Sequence, residues 1–328
     1  MMQQNDPLRP EKLTEFLGQR ELIGHLNIVV KAARSRNEMC EHICFTGAPG
    51  LGKTTLAKLL AQELGVALTE TSAQILEKPK DIVSLIMSIN GPSVLFIDEI
   101  HRLGSVVEEQ LYSVMEDGEL HIKIPGGDGS VHDHIARLDV PALTIVGATT
   151  ELGMLSQPLR DRFGFIGRLV PYEVQELSQI VLRSAEMIGF RVIEPVADVI
   201  ASRSRGVPRI ANQLLRRVRD WGQVNEIENL SEEQAVAALD AFGIDYLGLD
   251  EMGLEMLRVL CQQFNGGPVG LNTLADAIGE SASTLSAYEP FLMKLGLLDR
   301  TSRGRCATEA TYKHLGIEDQ NNQQTILS

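Results

Sequence analysis

The chain has 328 residues, of which 44% are hydrophobic and 23% charged, as is typical of a soluble globular protein with about two domains or three small ones. This composition excludes a mainly disordered or fibrous protein. The 30 basic and 44 acidic residues give a net charge of −14, which argues against a general nucleic-acid coat but not against one small basic surface.

Neither a membrane segment nor a secretory signal is apparent in the chain. No apolar run approaches the ~18 residues that a membrane span needs, and the N-terminal MMQQNDPLRPEKL lacks the basic-then-apolar plan of a signal peptide. The four cysteines, Cys40, Cys44, Cys261 and Cys306, are too few for a disulfide scaffold and lack zinc-finger spacing. We therefore expect free thiols in a cytoplasmic protein without membrane contact.

The first half of the chain alternates predicted strands with helices. Residues 39–46 predict a short buried strand, and after GAPGLGKTT the apolar periodicity of residues 56–64 predicts a helix that ends at Gly65. Residues 93–98 and 143–150 predict two further strands, apolar without alternation. Strands that alternate with helices indicate an α/β domain with a parallel sheet.

The second half changes character from about Tyr172 onward. Helices are predicted at residues 176–189, 208–222 and 231–243, with no strand between them. The last of these opens with a capping-box pattern, Ser231 followed by Gln234. This stretch therefore predicts a small helical domain.

A third unit is predicted after Gly243. An amphipathic helix at residues 249–264 precedes two shorter helices at 272–279 and 283–296, and residues 297–310 (LLDR, SRG, RCATEA) predict a β-hairpin. Three helices followed by a hairpin are the plan of a winged helix.

The segment Gly47–Thr54 fits the P-loop pattern G-x-x-x-x-G-K-[ST] between a predicted strand and helix. In that context backbone N–H groups from about Gly50 to Thr54 wrap phosphates, Lys53 reaches the β- and γ-phosphates, and Thr54 ligates Mg²⁺. The alternative is a glycine-rich turn without a ligand, which the flanking strand and helix disfavour.

Two acids end the strand VLFIDE, 45 residues after the P-loop lysine. Asp98 is expected to hold the Mg²⁺ shell, and Glu99 is expected to activate the attacking water as a general base. Without the P-loop, a solvated acidic pair at a strand end would be the better interpretation.

The strand after it ends in Thr149 and Thr150, either of which is placed to sense a γ-phosphate. Further on, Arg160 and Arg162 lie in PLRDRFG and are candidates for an arginine finger that neutralises transition-state charge. The alternative for the two arginines is a surface ion pair with Asp161.

These motifs resemble those of the RuvB family, the hexameric bacterial motors of Holliday junction branch migration. The matching segments, in family order, are Leu8-Arg9-Pro10, GLGKTTLA, FIDEIHRL, MED, GATT, PLRDRFG, SRGVPRIANQLLRRVRD, GGPVGL, EPFL and RTSRGR. The resemblance covers nearly the whole chain. It implies a large AAA+ ATPase domain (1–172), a helical lid (173–243) and a winged-helix DNA-binding head (244–328), with ATP and Mg²⁺ as cofactors.

The resemblance also implies site residues by position. Leu8 and Arg9 line the adenine pocket, Tyr172 and the sensor-2 arginine Arg209 close it, and Arg162 is the finger that acts in trans. Arg300 and Arg305 match wing residues that touch DNA. The full set of expected nucleotide contacts is Leu8, Arg9, Gly50, Gly52, Lys53, Thr54, Thr55, Glu116, Asp117, Gly118, Thr149, Arg162, Tyr172 and Arg209.

The implied partners are double-stranded DNA at Holliday junctions, RuvA through a hairpin at 119–140, the RuvC resolvase and further copies in a homo-hexamer, in recombination, DNA repair and the SOS response. Ser281 departs from the family, because relatives carry a DNA-contacting arginine there, and the hairpin tip GGDGSVHDH is longer and more acidic than usual. Two other functions stay open: another AAA+ remodeller such as a clamp loader, and a DNA-binding switch that uses ATP only to assemble.

Overall fold

The computed structural model of the chain describes residues 8–124 and 134–317. One compact unit contains the chain up to Val192 together with Gly206–Gln213, and a second contains Ile193–Arg205 and the chain from Leu214 onward. These units do not coincide with the three predicted domains, whose boundaries stay a prediction. Among the described residues, no helix is both long and apolar enough to cross a bilayer.

The first unit contains a five-stranded parallel sheet with the strand order β2-β3-β6-β1-β7. The central strands β1, β3 and β6 are almost entirely buried, which explains their unbroken apolar sequences. The strands of this unit are β1 (Ile43–Thr46), β2 (Ala67–Ser72), β3 (Ser93–Asp98), β4 (Glu119–Ile124), β5 (His134–Asp139), β6 (Leu143–Thr149) and β7 (Phe165–Arg168).

The three predicted strands are confirmed, although the one predicted at residues 39–46 begins only at Ile43, where its pairing with β6 and β7 starts. The sequence pattern predicts neither edge strand. Every residue of β2 (ALTETS) is exposed or half-buried, so β2 lacks the apolar run by which a central strand is recognised.

Helices flank the sheet of the first unit. The α-helices of this part of the chain are α1 (Arg20–Arg36), α2 (Lys53–Leu64), α3 (Pro79–Met87), α4 (Ser105–Asp117), α5 (Gln157–Asp161) and α6 (Val174–Met187). The predicted helix at 56–64 is confirmed as part of α2, and Gly65 caps it in the left-handed conformation with φ 72°. Buried side chains of α3 and α4 pack with Leu95 and Ile97 of β3 in one apolar cluster.

The predicted hairpin at 119–140 is present as the antiparallel pair β4 and β5, with Leu120 opposite Leu138. Leu120 is fully buried and Leu138 packs against the same cluster as α4. This anchors the base of the hairpin to the α/β unit. The tip at residues 125–133 lies outside the described residues.

Helices α7 (Glu194–Ser202), α8 (Pro208–Val224) and α9 (Glu232–Ala241) follow, and the fully described stretch 173–243 contains no strand, as predicted. The predicted capping box is confirmed: Ser231 Oγ accepts from Gln234 N at 3.3 Å, and Ser231 N donates to the Gln234 side chain at 2.9 Å.

The end of the second unit is a winged helix. Its elements are α10 (Glu251–Gln262), α11 (Leu271–Ile278), α12 (Ala282–Lys294), β8 (Leu298–Thr301), β9 (Gly304–Ala307) and α13 (Glu309–Leu315). The three predicted helices and the hairpin are confirmed, and the added helix α13 packs on α10. One apolar cluster that includes Leu257, Leu274 and Leu292 joins the three helices.

Candidate nucleotide and DNA sites

The loop between β1 and α2 has the backbone that a phosphate cradle requires. Gly47, Gly50 and Gly52 have φ values of 146°, 83° and 111°, a region that residues with a Cβ rarely adopt. A Cβ on Gly50 would also lie 2.8 Å from Val207 Cγ1 and 2.9 Å from Arg209 Cβ. The start of α8, which carries the predicted sensor arginine, therefore packs directly on the P-loop.

Lys53 opens α2 and lies against its own loop. Only 8% of the residue is exposed, and Nζ donates to the carbonyl oxygens of Gly47 at 2.6 Å and Ala48 at 3.1 Å. Burial lowers the pKa of Lys53, while the nearby carboxylates of Glu99 and Asp98 act in the opposite direction. The ammonium group is thus desolvated at the loop, where an oxyanion of a bound phosphate would be its natural partner.

The oxygen donors nearby fit a Mg²⁺ ion. Thr54 and Thr55 lie in the first turn of α2, and Asp98 ends β3 beside the lysine. Mg²⁺ in phosphate-binding sites uses one or two protein oxygens, with waters and phosphates as the other ligands.

Glu99 is held in a strained conformation at the end of β3. Its φ of 49° lies in the left-handed region, which is uncommon for a residue other than glycine, and such outliers cluster at functional sites. The carboxylate accepts from Thr150 Oγ1 at 3.1 Å and lies 3.3 Å from His101 Nδ1. The predicted base is therefore oriented by Thr150, directly after β6, and by His101, two residues further along its own segment.

The two candidate threonines have different partners. The Thr149 hydroxyl is fully buried, lies 2.9 Å from His101 Nδ1 and accepts from Glu151 N at 3.0 Å, whereas Thr150 bonds the Glu99 carboxylate directly. Thr149 is thus joined to Glu99 through His101. His101 is not among the predicted site residues, because a single histidine near an acidic pair carries no signal that separates a structural from a functional role.

The predicted adenine side is built by segments far apart in the chain. The Tyr172 hydroxyl donates to the Leu51 carbonyl at 3.2 Å, and burial raises the pKa of this tyrosine. Leu8 is buried and Arg9 half-buried, and Arg183 Nη2 donates to the Leu8 carbonyl at 3.3 Å. Arg183, which lies on α6, is absent from the predicted set although it holds the N-terminal segment in place.

Arg162 is the C-cap residue of α5 and contacts α4. Its Nη2 lies 2.9 Å from Glu116 Oε1, and its guanidinium lies 4.3 Å from the centre of the Tyr112 ring. The ion pair of Arg162 in the structure is with Glu116 rather than with Asp161, which accepts from the Gln157 side chain at 2.6 Å. The predicted finger and the predicted contact Glu116 are therefore neighbours.

The other residues of these two motifs are placed as follows. Asp117 is exposed, and Gly118 caps α4 with φ 68°. Arg160, the second finger candidate, donates from Nη2 to the Leu152 carbonyl at 2.5 Å, so it is tied to its own loop.

The two predicted DNA contacts in the wing differ in their surroundings. Arg300 and Arg305 lie opposite each other on β8 and β9, and Arg300 is exposed, as is Arg303 at the turn. Arg305 instead forms a bidentate ion pair with Glu289 of α12. The Arg305 side chain is 14% exposed and that of Glu289 is 5% exposed. Two of the Arg305 N–H groups are thereby committed within the protein.

Ser281, at the position where the resemblance implies a DNA-contacting arginine, has a local structural role. Its hydroxyl caps α12 by accepting from Thr284 N at 3.1 Å, an arrangement that stabilises a helix start. An uncharged cap at this position supplies no cation to a phosphate.

Comparisons with known proteins find the same family along the chain. Residues 8–169 match the family model of the Holliday junction DNA helicase RuvB P-loop domain, 172–245 the RuvB AAA lid domain and 246–316 the RuvB C-terminal winged helix domain. The Holliday junction branch migration complex subunit RuvB of Trichormus variabilis is 49% identical over 325 residues, which are 99% of this chain and 88% of that protein.

A second curated protein and a solved structure are similar to this chain and carry the same family name. The subunit of the same name from Synechocystis sp. is 47% identical over 316 residues, or 96% of this chain and 87% of that protein. The solved structure of the Thermotoga maritima RuvB Holliday junction branch migration motor has a TM-score of 0.85 and 42% identity, and the alignment covers 95% of this chain and 99% of that one.

Proposed function

The chain belongs to the RuvB family, and from this premise we propose that it hydrolyses ATP to drive branch migration of Holliday junctions as a ring-shaped DNA motor. The observation that carries the proposal is the constellation around Glu99: a buried Lys53 beside two carboxylates, one of them oriented by Thr150 and His101. A switch that uses ATP only to assemble does not need a water-activating base with dedicated orienting groups.

We propose the following roles for the chain's own residues. The P-loop N–H groups and Lys53 bind the phosphates, and the Lys53 ammonium leaves the carbonyls of Gly47 and Ala48 for the β- and γ-phosphate oxygens. Glu99 accepts the proton of the attacking water as the water oxygen bonds to the γ-phosphorus, while the bond from that phosphorus to the β–γ bridging oxygen breaks and ADP leaves. A Mg²⁺ ion held by Thr54 and Asp98 would neutralise charge on the phosphates.

The proposal extends to assembly. In a homo-hexamer, Arg162 would act on the ATP of the neighbouring subunit, with Glu116 and Asp117 beside it. The hairpin β4–β5 is the proposed contact for RuvA, as the family resemblance implies, and Leu120 anchors its base to the first unit. RuvC would join the same complex at the junction.

The test is branch migration of a synthetic four-way junction, with and without RuvA. We expect ATP-dependent movement that requires RuvA at physiological salt, and none with Lys53→Ala. A clamp loader would instead hydrolyse ATP on primed DNA without moving a junction. The motor proposal would be contradicted by two results together: an ATP turnover that does not change when DNA and RuvA are added, and a junction that does not move.

Replacing Arg300 by alanine should weaken binding to all DNA sequences alike. The residue is exposed on β8, with few aromatic side chains nearby to stack on bases, so we expect it to contact phosphate. The slope of log K against log salt concentration is negative, and it should become less steep by about 0.9, the value for one phosphate contact. Fluorescence anisotropy with two unrelated duplexes at several salt concentrations measures both effects.

The matched control is Arg300→Lys, which keeps the charge and should keep the slope. Arg305→Ala is expected to act differently, because it leaves the Glu289 carboxylate buried without its partner. The cost of breaking such a pair is about 3–5 kcal/mol, visible as a lower urea midpoint. A base-sequence preference lost in Arg300→Ala, or a salt slope that stays the same, counts against the phosphate contact.

A further inference from the structure

The proposed finger, Arg162, is held on three sides. The Tyr112 ring lies 4.3 Å from the guanidinium, Glu116 Oε1 lies 2.9 Å from Nη2, and Nη1 donates to the Pro158 carbonyl at 2.8 Å. The side chain is 21% exposed. Its conformation is therefore set within the subunit.

The Tyr112 ring is itself held in place by hydrogen bonds of its hydroxyl group. The Tyr112 hydroxyl donates to Glu108 Oε2 at 2.9 Å, and Ser156 Oγ donates to the same oxygen at 2.6 Å. Glu108 is only 6% exposed. Its buried carboxylate thus accepts from two hydroxyl groups, that of Tyr112 on α4 and that of Ser156 directly before α5.

Ser156 extends this support to the helix that bears the finger. Its hydroxyl also caps α5 by accepting from Leu159 N at 3.3 Å, and Arg162 is the C-cap residue directly after α5. The network therefore fixes both the start of α5 and the ring on which its last side chain rests.

Glu116 is a weaker support than the ring. Its side chain is 55% exposed, and exposed ion pairs contribute little because water screens them and both side chains lose freedom. A carboxylate on the finger also opposes its task, which is to present positive charge to a phosphate. A tyrosine face attracts a guanidinium without neutralising it.

We propose that Tyr112 is a positioning residue for Arg162: its ring, fixed by Glu108 and Ser156, holds the guanidinium ready for the ATP of the neighbouring subunit. This inference rests on the proposed trans role of Arg162. Since a small displacement of a positioned catalytic group costs much of its effect, loss of the ring should lower turnover and leave binding of ATP in the same subunit's pocket unchanged.

Rings of Tyr112→Leu are expected to hydrolyse ATP roughly tenfold more slowly, a loss equivalent to about 1.4 kcal/mol, with an unchanged KM. Tyr112→Phe keeps the ring and loses only the hydroxyl, while Ser156 still satisfies Glu108. Because the hydroxyl that fixes the ring is lost while the ring itself remains, its turnover should fall less than that of Tyr112→Leu. Steady-state hydrolysis by assembled rings gives both parameters.

Mixed rings separate positioning from folding. A Lys53→Ala subunit has a dead pocket but a complete finger, so it should restore hydrolysis in the pockets of Arg162→Ala subunits. A donor that carries Lys53→Ala and Tyr112→Leu should restore roughly tenfold less, and a donor with Lys53→Ala and Tyr112→Phe should restore an amount between these two. Pockets of Tyr112→Leu subunits should work normally beside Lys53→Ala fingers.

Three results would overturn the inference. Equal restoration by the Tyr112→Leu donor means that the finger does not need the ring. Inactive Tyr112→Leu pockets beside intact fingers mean that Tyr112 supports the subunit's own fold. If Lys53→Ala itself restores nothing while subunit exchange is verified, the trans role of Arg162 fails and the inference fails with it.

Discussion

Glu99→Gln is expected to bind ATP and to hydrolyse almost none of it. Glutamine retains an oxygen that accepts from Thr150 Oγ1, so the local structure around the residue persists, but it cannot take the proton of the attacking water. Loss of a general base lowers turnover by about 10²–10⁴-fold. ATP should remain bound, and rings should accumulate because the bound ATP is not converted to ADP.

The measurements are single-turnover hydrolysis, binding of a fluorescent ATP analogue, and the mass of the assembly with ATP present. Glu109→Gln is the matched control, because it neutralises an exposed carboxylate on α4 and should change none of the three. Lys53→Ala should differ from Glu99→Gln by losing nucleotide affinity as well. Hydrolysis by Glu99→Gln at a rate close to that of the unmodified protein would show that another group is the base.

The P-loop and the two carboxylates with proposed catalytic roles are predictable from the sequence because their chemistry depends on local spacing. The loop between β1 and α2 needs glycines at fixed positions, and Asp98 and Glu99 need only the end of a buried strand. The amphipathic helix α1 is readable as well, since Leu22, Leu26, Val30 and Ala33 are buried along one face, although it was not among the predicted elements.

The partners of the site residues are not predictable in the same way. The contact of Arg162 with Tyr112 and Glu116 joins two elements that only the fold brings together. The pairing of Arg305 with Glu289 likewise depends on how the hairpin packs on α12. A sequence motif marks an arginine as available, but whether its guanidinium faces a ligand or a buried carboxylate depends on the tertiary structure.

Arg162→Ala is expected to bind ATP nearly normally and to hydrolyse almost none, because each pocket keeps its own P-loop and loses the charge supplied by its neighbour. Arginine fingers in GTPases contribute about 10³–10⁵ in turnover, or roughly 4–7 kcal/mol of transition-state stabilisation. Arg162→Lys is the informative companion, because a lysine keeps the charge but loses the planar fork and should recover only part of the rate.

The mixing experiment decides whether the finger acts in trans. Equimolar Arg162→Ala and Lys53→Ala subunits should regain hydrolysis that neither variant shows alone, because some Arg162→Ala pockets then face an intact finger. With random placement about one interface in four combines a live pocket with a live finger, so about a quarter of the normal rate is the upper limit if sites act independently. If verified mixed rings stay as inactive as their parents, Arg162 acts within its own subunit or is structural. Arg160 would then be the remaining candidate, but its bond to the Leu152 carbonyl would have to break before it could reach a neighbour's phosphate.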